Sequence, residues 1–406
     1  MLHIRCPLYS SITVESAFLP ILDGPEMQRL RNVRQLGLAH LVYPGATHSR
    51  FEHALGAYHL ARVATAMLRE RGALAAIAPE EPALVMAAAM LHDIGHYPFS
   101  HALEEIGLEH HESVAVPFIL DGPIADVLRG FAPDAPSRVL AMIQGTSESP
   151  LGGLISGSID LDKIDYLRRD ARMCGVPYGE IDLDRLLHAL VVVSRPSDGR
   201  LTVGIREKGL AALESLLFAK YQMYRNVYWH HAARSATAMY KRLVADALAA
   251  GRLDGRAVAR FTDEGLLHAL STAAPGALLD AIRLRRLYKR SFERSAADLE
   301  GTSLEWIAAD PARTRRAEDA LAQQLGLAPG ELLLDYPAKE RMLGLDLPVL
   351  SRDGTIRQLT DDGMRGLINL PMLADEFYRT ARYLRVLTVR RIDVTERVIL
   401  DALASA

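Results

Sequence analysis

The chain has 406 residues, 49% of them hydrophobic and 24% charged, with a formal net charge of −3. That length suits two or three domains or one large core with appendages, and the acidic balance argues against a strongly electropositive nucleic-acid wrapper. The two cysteines, Cys6 and Cys174, are far apart and make neither a disulfide framework nor a thiolate metal motif. No basic N-terminal region runs into an apolar core, and no segment reaches about eighteen uninterrupted apolar residues, so the expectation is a cytoplasmic protein without a membrane span.

From about residue 25 to 300, apolar residues recur at three- and four-residue spacing, as in AYHLARVATAMLRE and AAMLHD, which predicts a mostly α core. YPGATHS, APEEP and FAPDAPS carry the Pro, Gly and Ser of helix connections. The run LVVVSRPSDGRLTVGI, residues 190–205, breaks the pattern with two β-branched segments around SDG and predicts a small peripheral hairpin. RLRRLYKRSFER, residues 283–294, reads as a solvated basic helix rather than a nucleic-acid patch. After residue 330, LLLDYP, LPVLSRDGTIRQL and YLRVLTVRR look like strands around one helix, so a small α+β C-terminal appendage is expected. The resulting division is a helical core at 1–235, a helical extension at 236–330 and a small α+β region at 331–406.

Eight of the 14 histidines lie between His48 and His111. Imidazole and carboxylate are ordinary ligands for Zn, Mn, Fe or Ni, and a mixed set with open positions suits hydrolysis rather than a closed structural site. His92 and Asp93 are about 100° apart on a helix, yet converge on one ion at a helix end. Because the pair then serves an ion rather than the core, replacing either is expected to leave helical content nearly intact. Arg50 and His53 share a helical face in YPGATHSRFEHALG. Asp162, Tyr166 and Asp170 share another in SIDLDKIDYLRRD, with Lys163 beside Asp162. His48 and His59 are read as structural.

The order His, His-Asp, Asp, carried by LDGPEMQRLRNVRQLG, YPGATHSRFEHALG, LHDIGHYPFSH, DLDKIDYLRRD and more loosely YRNVYWHH, resembles the HD-domain phosphohydrolases. More closely it resembles their deoxynucleoside triphosphate triphosphohydrolase branch, which includes vertebrate members with a sterile-alpha-motif and an HD domain. These segments span residues 22 to about 235. The resemblance implies an HD-domain helical core with His53, His92, Asp93 and Asp162 holding a divalent ion (Mn, Fe, Zn, Ni, Co or Mg), and Mg on the substrate triphosphate.

It further implies that Arg50, Lys163, Tyr166 and Arg225 hold the triphosphate and that Asp170 lies near the sugar 3′-hydroxyl. Gln35 and Leu36 line the deoxyribose, while Ala233 stands where vertebrate members carry a Tyr under the sugar. His96, His101 and His111 flank the scissile phosphate, with His110 an alternative to His111, and Glu104 orients the catalytic histidine. The implied reaction attacks the α-phosphorus of a dNTP and releases deoxynucleoside and triphosphate. In chemical terms His101, backed by Glu104, protonates the leaving oxygen while the cations offset phosphate charge.

Asp23, Gln28 and Arg31, with Arg285 and Lys289 from a neighbour, match positions where relatives bind a nucleotide effector, which implies a homo-oligomer, dimer or tetramer. Cys6, Tyr9 and Ser10 replace the Asp, His and Gly of the turn that completes that site in relatives. Three other readings stay open: an HD phosphohydrolase acting on a nucleoside monophosphate or signalling nucleotide, a nuclease or nucleic-acid binder using the basic run, and a nucleotide sensor without catalysis.

Overall fold

The structure, a computed structural model, describes residues 1–273, 276–299, 302–338, 345–360 and 370–405. Its N-terminus is an antiparallel hairpin that has no counterpart in the helical expectation, β1 (Leu2–Cys6) and β2 (Ser10–Val14), with Ile12 and Val14 buried. The main core follows. Helix α1 (Arg50–Glu70) starts at a reciprocal cap in which Ser49 Oγ accepts from Glu52 N and Glu52 Oε2 accepts from Ser49 N. This satisfies two donors that a helix start otherwise leaves open.

Helix α2 (Glu81–Leu91) is apolar on every face (EPALVMAAAML), and a helix patterned that way is stable only when surrounded. It packs against α1, and Leu84, Val85, Met90 and Leu91 are fully buried, each contributing about 1.5–3 kcal/mol. Helix α3 (Leu161–Cys174) begins at Asp160, whose carboxylate accepts from Lys163 N at 2.9 Å, and ends at Gly175 in the left-handed region.

The hairpin expected at 190–205 forms as β3 (Leu190–Ser194) and β4 (Leu201–Arg206). It does not stand alone. The C-terminal strands β7 (Leu347–Leu350) and β8 (Ile356–Leu359) extend it to a four-stranded sheet, β7 running parallel to β4. Val203 and Ile205 point from it into the main core.

Helices α4 (Leu210–Met223) and α5 (His231–Ala249) are joined by a π-helical turn, Tyr224–Tyr228. A second core gathers around Met239 and Tyr240 of α5. The basic run departs from its expected form. A short helix ends at Arg283, and Lys289–Ser295 is a strand, β5, because its alternation buries Phe292 while its backbone pairs with β9 (Tyr383–Thr388). With β6 (Leu332–Asp335) this makes a sheet ordered β5-β9-β6 over a third core.

A buried ion network joins that sheet to α5 and to Glu105. Asp335 on β6 accepts from Arg234 and Arg385, and Arg234 also grips both Glu105 oxygens at 2.9 Å. No described helix is long and apolar enough to cross a membrane.

Candidate functional site

Four side chains from three helices converge where α1, α2 and α3 meet. His53 lies on the first turn of α1, His92 caps the end of α2 with Asp93 just beyond, and Asp162 lies on the first turn of α3. His53 Nδ1 is 2.8 Å from Asp165 Oδ2, and His92 Nδ1 is 2.9 Å from the Ala89 carbonyl. Both partners are acceptors, so in the neutral, metal-binding form of each ring Nδ1 carries the proton and Nε2 presents a lone pair.

Those lone pairs face each other at 3.1 Å. Asp162 Oδ1 lies 2.9 Å from His53 Nε2 and 3.5 Å from His92 Nε2, while Asp93 stands 3.4–3.7 Å from the same two nitrogens. Burial works against charge on His53, yet Asp162, Asp165 and Asp93 outweigh it and raise its pKa to about 10, so without a metal ion a second proton on Nε2 takes the place of the cation. The site demands positive charge, and imidazole nitrogen with carboxylate oxygen is the donor set of a divalent transition ion. Among the described residues, His53, His92 and Asp162 form one of two groups able to hold a metal.

The second group is His96, His101, Glu104 and His111. Glu104 accepts from His101 Nδ1 at 3.2 Å and from His111 Nδ1 at 2.8 Å. Burial would raise its carboxyl, but these imidazoles hold it far below the usual range. The His96 and His111 rings stack at 3.8 Å. That stack depends on Gly95, where a Cβ would overlap the His111 carbonyl. His110 is exposed, with Nδ1 3.4 Å from Glu104, so His111 is the histidine brought into the cluster. Phe99 and Ser100, immediately before His101, both adopt left-handed backbone with φ of 57° and 65°. Such paired strain outside glycine persists only when held: Asp263 accepts from Phe99 N at 2.7 Å, and Ser100 Oγ bonds Arg50 and the Arg34 carbonyl.

A cleft of about 440 Å³ runs from Asp162 past Lys163, Tyr166 and Asp170, with Gln35, Leu36, Arg50, His101 and Ala233 also on its wall. Gln35 Oε1 is buried there without a hydrogen-bond partner among the described residues. Asp170 is fixed by His48 Nε2 at 2.8 Å and Tyr228 OH at 2.7 Å, which gives the buried His48 a positioning task. Lys163 pairs with Asp160.

Other residues fall elsewhere. Arg225 is exposed, bonds Tyr221 OH at 2.6 Å and does not line the cleft. Within its π-helical turn, Tyr224, Val227 and Tyr228 take the cleft side. Gln28 bonds the Leu22 carbonyl and Arg31, Arg31 stacks on Phe51, and Asp23 is exposed. Arg285 bonds the Leu41 carbonyl and Lys289 is exposed at the start of β5.

Two residues of the site had no assigned part. Asp165, buried on α3, holds His53 Nδ1 and forms two bonds to Arg169 while accepting from Tyr9 OH at 2.8 Å. Its i, i+4 spacing to Arg169 inside DLDKIDYLRRD was the available signal. Lys220 of α4, 8% exposed, also lines the cleft. One expectation is corrected. Asp93 is tied into the core, because its Oδ2 accepts from buried Arg50 Nη1 at 2.6 Å.

A helical core that brings a His, a His-Asp pair and an Asp to one point defines an HD domain. The chain belongs to that family: the HD domain matches residues 50–170 and the HD associated region matches residues 181–364. An uncharacterized protein of Methanocaldococcus jannaschii is 35% identical over 75% of this chain and 62% of its own length. The bovine deoxynucleoside triphosphate triphosphohydrolase SAMHD1 is 29% identical over 56% of this chain and 44% of its own. The chain thus spans about half to three fifths of these relatives. The crystal structure of a phosphohydrolase from Bacteroides thetaiotaomicron superimposes with a TM-score of 0.74 at 24% identity, covering 96% of this chain and all of that one, a likeness of fold.

Proposed function

We propose that the protein is a metal-dependent phosphohydrolase that cleaves deoxynucleoside triphosphates to deoxynucleoside and inorganic triphosphate. The observation that carries this reading is the facing pair of Nε2 lone pairs on His53 and His92, closed by Asp162 and Asp93, at one end of a cleft lined with cations. Likeness to SAMHD1 supports the choice of substrate.

A divalent cation held by His53, His92, Asp93 and Asp162 supplies Lewis acidity and an activated water. Arg50 and Lys163 offset the charge developing on the phosphates. Tyr166 packs along the phosphate chain, and Asp170, fixed by His48 and Tyr228, accepts from the sugar hydroxyl. Gln35 and Leu36 close on the sugar. His101 keeps Nδ1–H on Glu104 and, in its doubly protonated form, gives the Nε2 proton to the leaving oxygen and is left as the neutral ring, with His96 and His111 packed behind it.

The same proposal includes the division at residues 235 and 330, a cytoplasmic location and a homo-oligomer. Nucleotide effectors would bind Asp23, Gln28 and Arg31 of one subunit with Arg285 and Lys289 of its neighbour. Incubating the protein with Mn²⁺ and each dNTP, NTP and NMP, then resolving products by chromatography, tests the substrate. dNTP turnover is expected; turnover of monophosphates alone would replace the reading with that of another HD phosphohydrolase. Molecular mass and dATP hydrolysis measured with and without dGTP or GTP test the assembly, and no change in either would remove the effector site.

A further inference from the structure

Lys163 and Lys220 form a partition with space on both sides. On one side lies the cleft described above; on the other lies a second cavity of about 530 Å³ that shares both lysines as lining. Its far wall comes from the Gly- and Ser-rich segment 145–158, whose Ser147, Ser149 and Ser156 line the space. Three cations, Lys163, Lys220 and Arg195, line it with the carboxylate of Asp346; Lys163 also pairs with Asp160 and Arg195 with Asp198, while Asp346 accepts from Gln358.

Ammonium groups, hydroxyls and a polar lining with more cations than carboxylates select an anion rich in acceptor oxygens. Position narrows the choice. Lys163 follows the ligand Asp162 directly, so an anion crossing the partition comes from the phosphate end of the cleft. A cavity of this volume holds more than one phosphate. Lys220, buried at 8% exposure, faces both spaces and is placed to follow a phosphate from one to the other.

We propose that this second cavity is an inorganic-polyphosphate compartment, with Lys220 as its binding residue, into which the phosphates released from a nucleotide pass before leaving the protein. The assignment rests on the triphosphohydrolase reading for its role, but not for its existence. Free inorganic triphosphate is the ligand it is built for.

Gly153 provides a test position away from the catalytic groups. A Cβ there would meet nothing closer than Val203 Cβ at 3.9 Å, and Val203 lines the same cavity, so a larger side chain enters the space without backbone conflict. Isothermal titration of the full-length, metal-loaded protein with inorganic triphosphate reads binding with no hydrolysis required. Wild type is expected to bind one equivalent. Lys220→Met is expected to weaken binding by about tenfold or more, Gly153→Leu to do the same by filling the cavity, and Lys220→Arg to retain most of it. Circular dichroism checks folding of each, and if Lys220→Met does not fold, Gly153→Leu decides. No binding by wild type, or unchanged affinity in Gly153→Leu, overturns the proposal. So does binding that Gly153→Leu keeps and His92→Ala loses, since the anion would then sit at the metal centre. Binding as expected in a protein that hydrolyses no dNTP would sink the proposed function and leave the compartment standing.

Discussion

His53 Nε2 and His92 Nε2, 39 residues apart in the chain, face each other at 3.1 Å with their protons turned away. Two acceptors at that separation repel unless a cation stands between them. The arrangement therefore separates what each ligand does for the ion from what it does for the fold.

His92→Ala and Asp93→Ala are both expected to lose bound metal, and they should part on stability. Asp93 and Arg50 are each 3% exposed, so Asp93→Ala leaves a buried guanidinium without its carboxylate, at a cost of about 3–5 kcal/mol. His92→Ala strands no buried charge in that way, since its neighbours Asp93 and Asp162 keep Arg50 and His53. Urea unfolding beside metal analysis checks this, and equal stability loss in the two variants would contradict the dual role of Asp93.

Gly56 lies on α1 one turn after His53, where a Cβ would overlap Asp165 Oδ1 and Arg169 Nη2. Gly56→Ala improves intrinsic helix propensity by about 1 kcal/mol, yet it should displace the carboxylate that orients His53. Metal affinity is expected to fall about 10- to 100-fold. A more stable variant with unchanged metal affinity would show that Asp165 does not set the ligand.

His101→Ala should lower kcat by about a hundredfold or more with metal content unchanged, because the proposed task of its Nε2 is to donate a proton rather than to hold the ion at His53 and His92. Loss of metal in step with activity would make it a ligand instead.

His59, half-buried against the Tyr9 ring, is pushed down to about 4 by burial and by Arg62. In the unfolded chain a histidine titrates near about 6.5. Between those values the unfolded state takes up a proton that the folded state refuses, so stability falls as pH drops through that window and loses nothing more from this group below it. His59→Gln is expected to lose less stability than wild type between pH 7 and pH 5 in denaturant titrations. Equal losses would assign the acid sensitivity elsewhere.

The four converging residues, His53, His92, Asp93 and Asp162, were legible because each lies in a local motif at a helix, and the order of the motifs along the chain carries the information. Asp165 was not: its i, i+4 spacing to Arg169 marks an ion pair, but it takes the tertiary approach of α1 to α3 to set it on His53. The strand Lys289–Ser295 was hidden for a similar reason: KRSFERS alternates, but its partner β9 lies about a hundred residues on. Arg225 was matched by position along the chain, and the π-helical turn around it brings Tyr224 and Tyr228 to the cleft while Arg225 faces solvent. Helical periodicity alone carries no signal for that turn. The N-terminal hairpin is five residues a strand, too short for its alternation to stand out.

The most direct test of the hydrolytic reading is to run dGTP cleavage with Mn²⁺ in heavy-oxygen water and resolve the products by phosphorus NMR and mass spectrometry. Attack at the α-phosphorus breaks its bond to the 5′-oxygen, so one heavy oxygen should appear in inorganic triphosphate and none in deoxyguanosine. Pyrophosphate with deoxyguanosine monophosphate, or no cleavage by the metal-loaded protein, would contradict it.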